Sequence, residues 1–149
     1  MLVSSLPRAA AAAVACTLAL AACGSSGSDT ASSPGNASSS AAPTGSVGVI
    51  LPDATTSPRW ESNDRPLLEA AFTTAGIKAD IQNADGDTSK FGTLCDGMIN
   101  AGVNVLLIVN LDSESGSACL KKAQAAGIKT IDYDRLTLGG GASYYVSFD

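Results

Sequence analysis

An acid and a base stand side by side after one apolar segment of the chain, at Asp134 and Arg135. The segment before them, residues 130–133, opens with two β-branched residues, which favours a strand. In an open parallel sheet, ligands bind just beyond the carboxyl ends of the strands. A carboxylate placed there accepts hydrogen bonds from hydroxyl groups, and a guanidinium donates to them. We therefore interpret the pair as part of a ligand site, with a surface ion pair as the alternative.

Further planar, hydrogen-bonding side chains follow two other predicted strands. After the first strand come Asp53, Arg59 and Trp60, and after the third come Asn110 and Asp112. A ring that packs on C–H faces, combined with polar groups that bind hydroxyls, is suited to a sugar. The pattern predicts a sugar site with the only tryptophan of the chain as its platform. Packing of that tryptophan on the sheet at the start of a helix is the alternative.

The composition narrows the functional classes. The chain of 149 residues has a net charge of −5 and no histidine. Its acidity argues against nucleic acid as a partner, and the lack of histidine removes the usual general base and the commonest metal ligand. We predict a binding protein with no enzymatic activity, no metal and no cofactor.

Two acidic motifs offer a metal-dependent alternative. Asp132 and Asp134 have a D-x-D spacing that places both carboxylates on one face of a strand, but the inner one would then lie within the sheet. Residues 83–87 resemble a calcium loop, yet the bidentate glutamate that should follow is absent. A turn and a helix cap explain this second motif better.

The amino end has the features of an export signal. Arg8 supplies a positive charge, and the apolar run at residues 9–20 is too short for a permanent membrane span. The run ends at Cys23 in a sequence that resembles the lipobox of bacterial lipoproteins, in which the cysteine thiol receives a diacylglycerol. We predict a signal peptide at residues 1–22 and a lipid anchor at Cys23, on the outer face of the cell membrane. A simple secretory signal is the alternative.

The rest of the chain divides into a tether and one globular unit. Residues 23–45 are rich in Ser, Ala, Gly, Thr and Pro, a composition that does not bury enough apolar surface to fold. Residues 46–149 are sufficient for one small core. The chain ends with a predicted strand at residues 144–149, and we expect from this a truncated domain.

Strands and helices alternate through the globular unit, which predicts an α/β fold with a doubly wound parallel sheet. We predict strands over residues 46–51, 77–82, 103–109, 130–133 and 144–149, and helices over about 60–75, 88–101 and 115–126. The expected strand order is 2-1-3-4, with the first helix on one face and the other two on the opposite face. The second strand is polar and should lie near an edge, whereas the third is the most apolar and should be central.

Two details of the helices can be tested directly. Pro66 either kinks the first helix or marks where its regular part begins, and the predicted apolar stripe of that helix consists of Leu67, Leu68, Ala71, Phe72 and Ala75. Cys95 and Cys119 lie on the neighbouring second and third helices, in a chain predicted to enter an oxidising compartment. We predict a disulfide between them, with two separate buried thiols as the alternative.

Six short segments resemble type I periplasmic sugar-binding proteins, and within them the D-xylose-binding branch. They keep the same order and similar spacing at residues 47–51, 58–60, 98–106, 126–129, 133–135 and 145–149. Members of that family are extracytoplasmic receptors that close two lobes around a monosaccharide and deliver it to an ABC importer in the membrane. The resemblance implies that this chain is the first lobe of such a clamshell, without the second lobe and itself incomplete.

The resemblance also implies roles for individual residues. Asp134 and Arg135 would bind sugar hydroxyls, and Arg59 with Trp60 would form a stacking wall. Asn110 and Asp112 occupy rim positions. The expected ligand is xylose or a similar monosaccharide, and a fragment of this kind should bind it more weakly than a complete receptor.

Two other classes of protein share this lobe architecture or could use it. A lipoprotein that presents its ligand to a membrane sensor, such as a chemoreceptor or a histidine kinase, is the alternative to an importer receptor. Sugar-responsive repressors carry a DNA-binding helix pair at the position where this chain has the lipobox, which argues against a repressor.

Overall fold

The structure, a computed structural model, describes residues 45–148 of the chain. The predicted signal peptide, the predicted lipidation site at Cys23 and the tether as far as residue 44 lie outside the described residues. No helix within residues 45–148 combines the length and the apolar character needed to cross a bilayer.

Five parallel strands form one sheet, in the order β2-β1-β3-β4-β5. Their bounds are Ser46–Leu51 (β1), Lys78–Asn83 (β2), Val105–Ile108 (β3), Lys129–Tyr133 (β4) and Tyr144–Val146 (β5). The predicted order of the first four strands is confirmed, with β2 at one edge and β3 in the centre. Since β1, β3 and β4 run in the same direction, their carboxyl ends meet at one rim.

Three α-helices connect the strands: Arg65–Thr74 (α1), Thr88–Asn100 (α2) and Ser113–Ala125 (α3). Asp87 and Asp112 begin α2 and α3, because their carboxylates accept hydrogen bonds from free backbone N–H groups of the first turn. Gly102 and Gly127 follow these two helices with a positive φ, which a residue without a Cβ adopts without strain.

Alternate side chains of the strands build two separate cores. One face of the sheet packs against α2 and α3, with Phe91, Leu106 and Leu120 fully buried at its centre. The opposite face packs against Trp60, Leu68 and Phe72 near α1. The prediction that α1 lies alone on one face, with α2 and α3 together on the other, is confirmed.

The segment before α1 differs from the predicted continuous helix. Trp60–Asp64 form a π-helical turn, and the regular helix begins at Arg65 with Pro66 in its first turn. Pro66 thus marks the start of the regular part, because a first-turn residue needs no N–H bond to an earlier carbonyl.

The predicted apolar stripe of α1 is wrong for three of its five residues. Leu68 and Phe72 pack on the sheet, but Leu67 is 69% exposed, and Ala71 and Ala75 are exposed as well. Of the five residues, only Leu68 and Phe72 therefore touch the sheet. The π-helical turn before α1 changes which side of the helix faces the strands.

The sulfur atoms of Cys95 in α2 and Cys119 in α3 lie at bonding distance, 1.99 Å apart. Both residues are almost fully buried and belong to the core between these helices and the sheet. On the surface above them, Lys122 Nζ pairs with Asp96 at 2.8 Å. The two helices are thus linked covalently inside and by an ion pair outside.

Candidate functional site

An open groove of about 680 Å³ lies at the carboxyl ends of the strands. Residues that follow β1, β2, β3 and β4 all contribute to its wall, and its lining includes Asp53, Asp85, Asp112 and Arg135. Carboxylates outnumber cations among these groups, so the lining is acidic apart from one guanidinium.

Arg59 and Asp134 form an ion pair close to the π-helical turn, and Asp134 directly precedes the groove residue Arg135. The Arg59 Nη2 atom lies 2.7 Å from Asp134 Oδ1, and Arg59 Nε lies 3.4 Å from Asp64 Oδ2. Asp134 has a φ of 64°, in the left-handed region, where aspartate is one of the few residues other than glycine that is tolerated. The chain turns at this residue, and its carboxylate consequently reaches back to Arg59.

Two guanidinium groups lie over the buried indole of Trp60. The Cζ atoms of Arg59 and Arg135 are 4.1 and 5.6 Å from the ring centroid, within the range of cation–π attraction. Tyr133 packs edge-on against the same indole, with 6.5 Å between ring centroids. Trp60 is only 2% exposed and belongs to the core on this face of the sheet, which is the packing predicted from the sequence as the alternative to an open platform.

Arg135 is held by reciprocal hydrogen bonds with Asn110, which follows β3. Its Nη1 atom donates to the backbone oxygen of Asn110 at 3.0 Å, and Asn110 Nδ2 donates to the backbone oxygen of Arg135 at 3.3 Å. Asn110 is buried, so its side chain supports the loop that carries Arg135 and is not itself open to the groove.

Asp112 and Asp53 serve local structure at the rim. Asp112 is exposed and accepts a hydrogen bond from Ser115 N at the start of α3, which lowers the pKa of its carboxyl. Burial raises the pKa of Asp53, but hydrogen bonds from Thr56 and Thr55 outweigh that effect and lower the pKa below its ordinary value. Both groups are thus charged at neutral pH and keep the groove acidic.

Tyr133 was not predicted as a site residue, yet its ring contacts both Trp60 and Phe148. Its hydroxyl donates to Asp64 Oδ1 at 2.6 Å, and its ring packs edge-on against Phe148. Burial, followed by the hydrogen bond and the charge of Asp64, raises the pKa of Tyr133 to about 12. The phenol therefore stays protonated and acts as a donor to Asp64.

The metal-binding alternatives find no geometric support among residues 45–148. No group of three potential metal ligands comes together within that range. Asp132 is buried in the sheet, as the D-x-D spacing indicated, and Asp134 is paired with Arg59. In the predicted turn, Asp85 pairs with Lys90, and Asp87 caps α2.

The structure brings together four of the six predicted ligand residues: Arg59, Trp60, Asp134 and Arg135. Asn110 lies behind Arg135, and Asp112 lies at the far wall of the groove. The arrangement offers carboxylate acceptors and guanidinium donors beside an aromatic ring, at the carboxyl edge of a parallel sheet. A ligand-binding groove at this position is the general rule for open α/β sheets.

Comparison with known proteins identifies the family. Residues 47–149 match the family described as a periplasmic binding protein domain. The chain belongs to this family of periplasmic binding proteins, whose members are solute receptors and not enzymes.

Two characterised relatives are similar in sequence. The chain is 36% identical over 110 residues to the multiple sugar-binding periplasmic receptor ChvE of Rhizobium radiobacter, covering 73% of this chain and 30% of that protein. It is 35% identical over 91 residues to the D-xylose-binding periplasmic protein of Haemophilus influenzae, covering 61% of this chain and 27% of that protein. The chain thus spans less than a third of the length of these relatives.

Solved structures agree with this assignment. An ABC transporter solute-binding protein from Clostridium phytofermentans with bound β-D-glucose superposes with a TM-score of 0.65 at 32% identity, over 70% of this chain and 32% of that one. A carbohydrate transporter solute-binding protein from Chloroflexus aurantiacus in complex with D-glucose gives the same TM-score at 33% identity, over 72% and 31% of the two chains. The predicted fold, one lobe of a type I periplasmic binding protein, is confirmed.

Proposed function

We propose that this chain forms the first lobe of an extracytoplasmic sugar receptor that serves an ABC importer. The observation that carries the proposal is the convergence of Arg59, Asp134 and Arg135 around the Trp60 indole, beside an open groove. Charge-assisted hydrogen bonds from these groups match the hydroxyls of a monosaccharide. The similarity to sugar-binding receptors supports the assignment.

Arg135 and Asp134 are the groups that we propose to contact the sugar first. Arg135 lines the groove, and Asp134 is partly exposed next to it. A bound hydroxyl would then compete with Arg59 for the Asp134 carboxylate, and movement of Arg59 would uncover the Trp60 ring for C–H contact. Asn110 would act from behind by holding Arg135, and Asp112 would border the ligand.

The ligand that we propose is a neutral monosaccharide, xylose or a similar sugar. The relatives named for xylose and for multiple sugars, and the neighbours with bound glucose, support this class. The groove is open on one side, and a second lobe would be needed to exclude water from the sugar. We accordingly expect weak binding by this chain and tight binding only by a two-lobed receptor.

Sugar titration of the purified chain tests the proposed function. Because the chain has one tryptophan, the indole N–H of Trp60 gives a single NMR resonance that reports on the rim. D-Xylose and D-glucose should shift this resonance in a saturable way, with Kd values on the order of millimolar because the lobe is open. Mannitol at the same concentrations is the control for non-specific effects and should leave the resonance in place. A resonance that does not move with either sugar, or that moves equally with mannitol, would contradict the proposal.

Lipid attachment at Cys23 is the part of the proposal that fixes the location of the receptor. Two or more acyl chains anchor a protein stably, whereas one chain is marginal. In a bacterial host fed a labelled fatty acid, we expect the label on the wild-type chain and its loss in Cys23→Ala. The wild type should sediment with membranes, and the variant should be released or remain unprocessed. Cys16→Ala is the matched control, since that residue lies within the predicted signal, and it should leave labelling unchanged. Equal labelling of the wild type and Cys23→Ala would contradict the anchor.

A further inference from the structure

A fully buried carboxylate lies directly behind the proposed sugar contacts. Asp132 is the last but one residue of β4 and is 0% exposed. Its Oδ2 atom accepts a hydrogen bond from Thr137 N at 2.8 Å, and its Oδ1 atom accepts one from Thr137 Oγ1 at 2.7 Å. Both donors belong to one residue of the loop after β4, so the carboxylate ties that loop to the strand.

Thr137 extends the connection to the neighbouring strand. Its hydroxyl oxygen accepts a hydrogen bond from Asn110 Nδ2 at 2.7 Å while its proton is given to Asp132. Asn110 Nδ2 also donates to the backbone oxygen of Arg135, and Arg135 Nη1 donates to the backbone oxygen of Asn110. The four residues thus form a continuous network from the buried carboxylate to the guanidinium at the groove.

The side chain of Thr137 packs tightly against two glycines. A Cβ atom added at Gly116 would lie 2.9 Å from Thr137 Cγ2, and one added at Gly140 would lie 2.7 Å from the same atom. Both glycines are buried, and Thr137 is 2% exposed. The hydroxyl is therefore fixed between Asp132 and Asn110.

We propose that Asp132 and Thr137 are positioning residues for sugar binding, which hold Arg135 over the Trp60 ring. This inference rests on the proposed function, in which Arg135 contacts the sugar. A buried carboxylate with only neutral donors is costly compared with an apolar residue in the same sheet. Its two oxygens, however, bind the backbone and the side chain of Thr137 together, and an apolar residue binds neither. The network fixes the direction of the Arg135 guanidinium, whose aliphatic side chain would otherwise be flexible.

The test compares Thr137→Val with Thr137→Ser. Valine keeps the shape of threonine but removes the hydroxyl, so Asn110 and Asp132 each lose a hydrogen bond, whereas serine retains the hydroxyl. Without sugar, the indole resonance of Trp60 should move in Thr137→Val toward its position in Arg135→Ala, and it should stay near the wild-type position in Thr137→Ser. With D-xylose, Kd should rise about fivefold in Thr137→Val, because only part of the free energy of the two lost hydrogen bonds is transmitted to Arg135, and by less than about twofold in Thr137→Ser.

A stability control separates positioning from general loosening. Val103→Ala removes buried volume in the core under α2 and α3, away from the network, and should lower the unfolding midpoint while leaving both the indole resonance and Kd at their wild-type values. An indole resonance that stays in place in Thr137→Val, or that moves as far in Val103→Ala, would overturn the inference.

The two arms of the experiment also separate this inference from the proposed function. If the wild type binds no sugar but the indole resonance responds as expected, the proposed function fails and the positioning network remains. If the wild type binds sugar and Thr137→Val binds it equally well, the proposed function stands and the inference is wrong.

Discussion

Removal of the disulfide between Cys95 and Cys119 is expected to lower the free energy of unfolding by about 3 kcal/mol, the chain-entropy value for a closed loop of this size. The bond joins residues 24 positions apart in sequence and connects α2 to α3. A domain of this size has only about 5–15 kcal/mol of stability in total, so the loss should be visible as a large decrease in the denaturation midpoint.

Urea denaturation of the wild type with and without reductant, and of the double variant Cys95→Ala, Cys119→Ala, measures this effect. The matched control is internal: reductant should shift the wild-type midpoint and leave that of the double variant unchanged. The variant also loses two buried side-chain atoms, so it should be slightly less stable than the reduced wild type. Equal midpoints for the oxidised and the reduced wild type would contradict the prediction.

Replacement of Arg135 by alanine is expected to weaken sugar binding by about ten- to a hundredfold, since hydrogen bonds to charged groups contribute about 1.5–3 kcal/mol. Arg135 Nη1 already donates to Asn110 O, which leaves its other N–H groups for a ligand in the groove. Arg135→Lys should give an intermediate Kd, because an ammonium keeps the charge but loses the planar fork.

The same NMR titration with D-xylose measures this change. Lys121→Ala is the matched control: it also removes one positive charge, from an exposed position on α3 outside the groove, and should leave Kd unchanged. A wild-type Kd for Arg135→Ala, or an equal loss in Lys121→Ala, would show that Arg135 does not contact the sugar.

The pattern of apolar residues in the sequence predicted the strands and helices of this fold well, because a buried strand is the simplest explanation of each short apolar run. The residues Phe91, Cys95 and Met98 of α2 recur at helical intervals, and all three are buried. The start of α1 could not be predicted in the same way. A π-helical turn over Trp60–Asp64 shifts the register of every later residue, and apolar periodicity alone does not reveal it.

The candidate site shows a similar division. The rule that parallel strands end at one rim of the sheet predicts that Arg59 and Asp134 lie close together. The supporting residues were missed, since Thr137 has no distinctive signal and Asp132 was considered only as a metal ligand. An acid inside a predicted strand was the available clue, because such a group needs dedicated donors when it is buried. Which residue supplies these donors depends on the geometry of the loop, and the spacing of residues in the sequence does not reveal it.

The order of the strands has a consequence for how the sheet is assembled. Both β2 and β3 border β1, and β4 and β5 each lie beside the strand synthesised immediately before them. A polypeptide that emerges amino end first, from a ribosome or a translocon, can therefore extend this sheet outward strand by strand, and no strand must wait for a later segment to be inserted between it and its neighbour. Each new strand then finds its partner already synthesised, which shortens the exposure of unpaired strand edges.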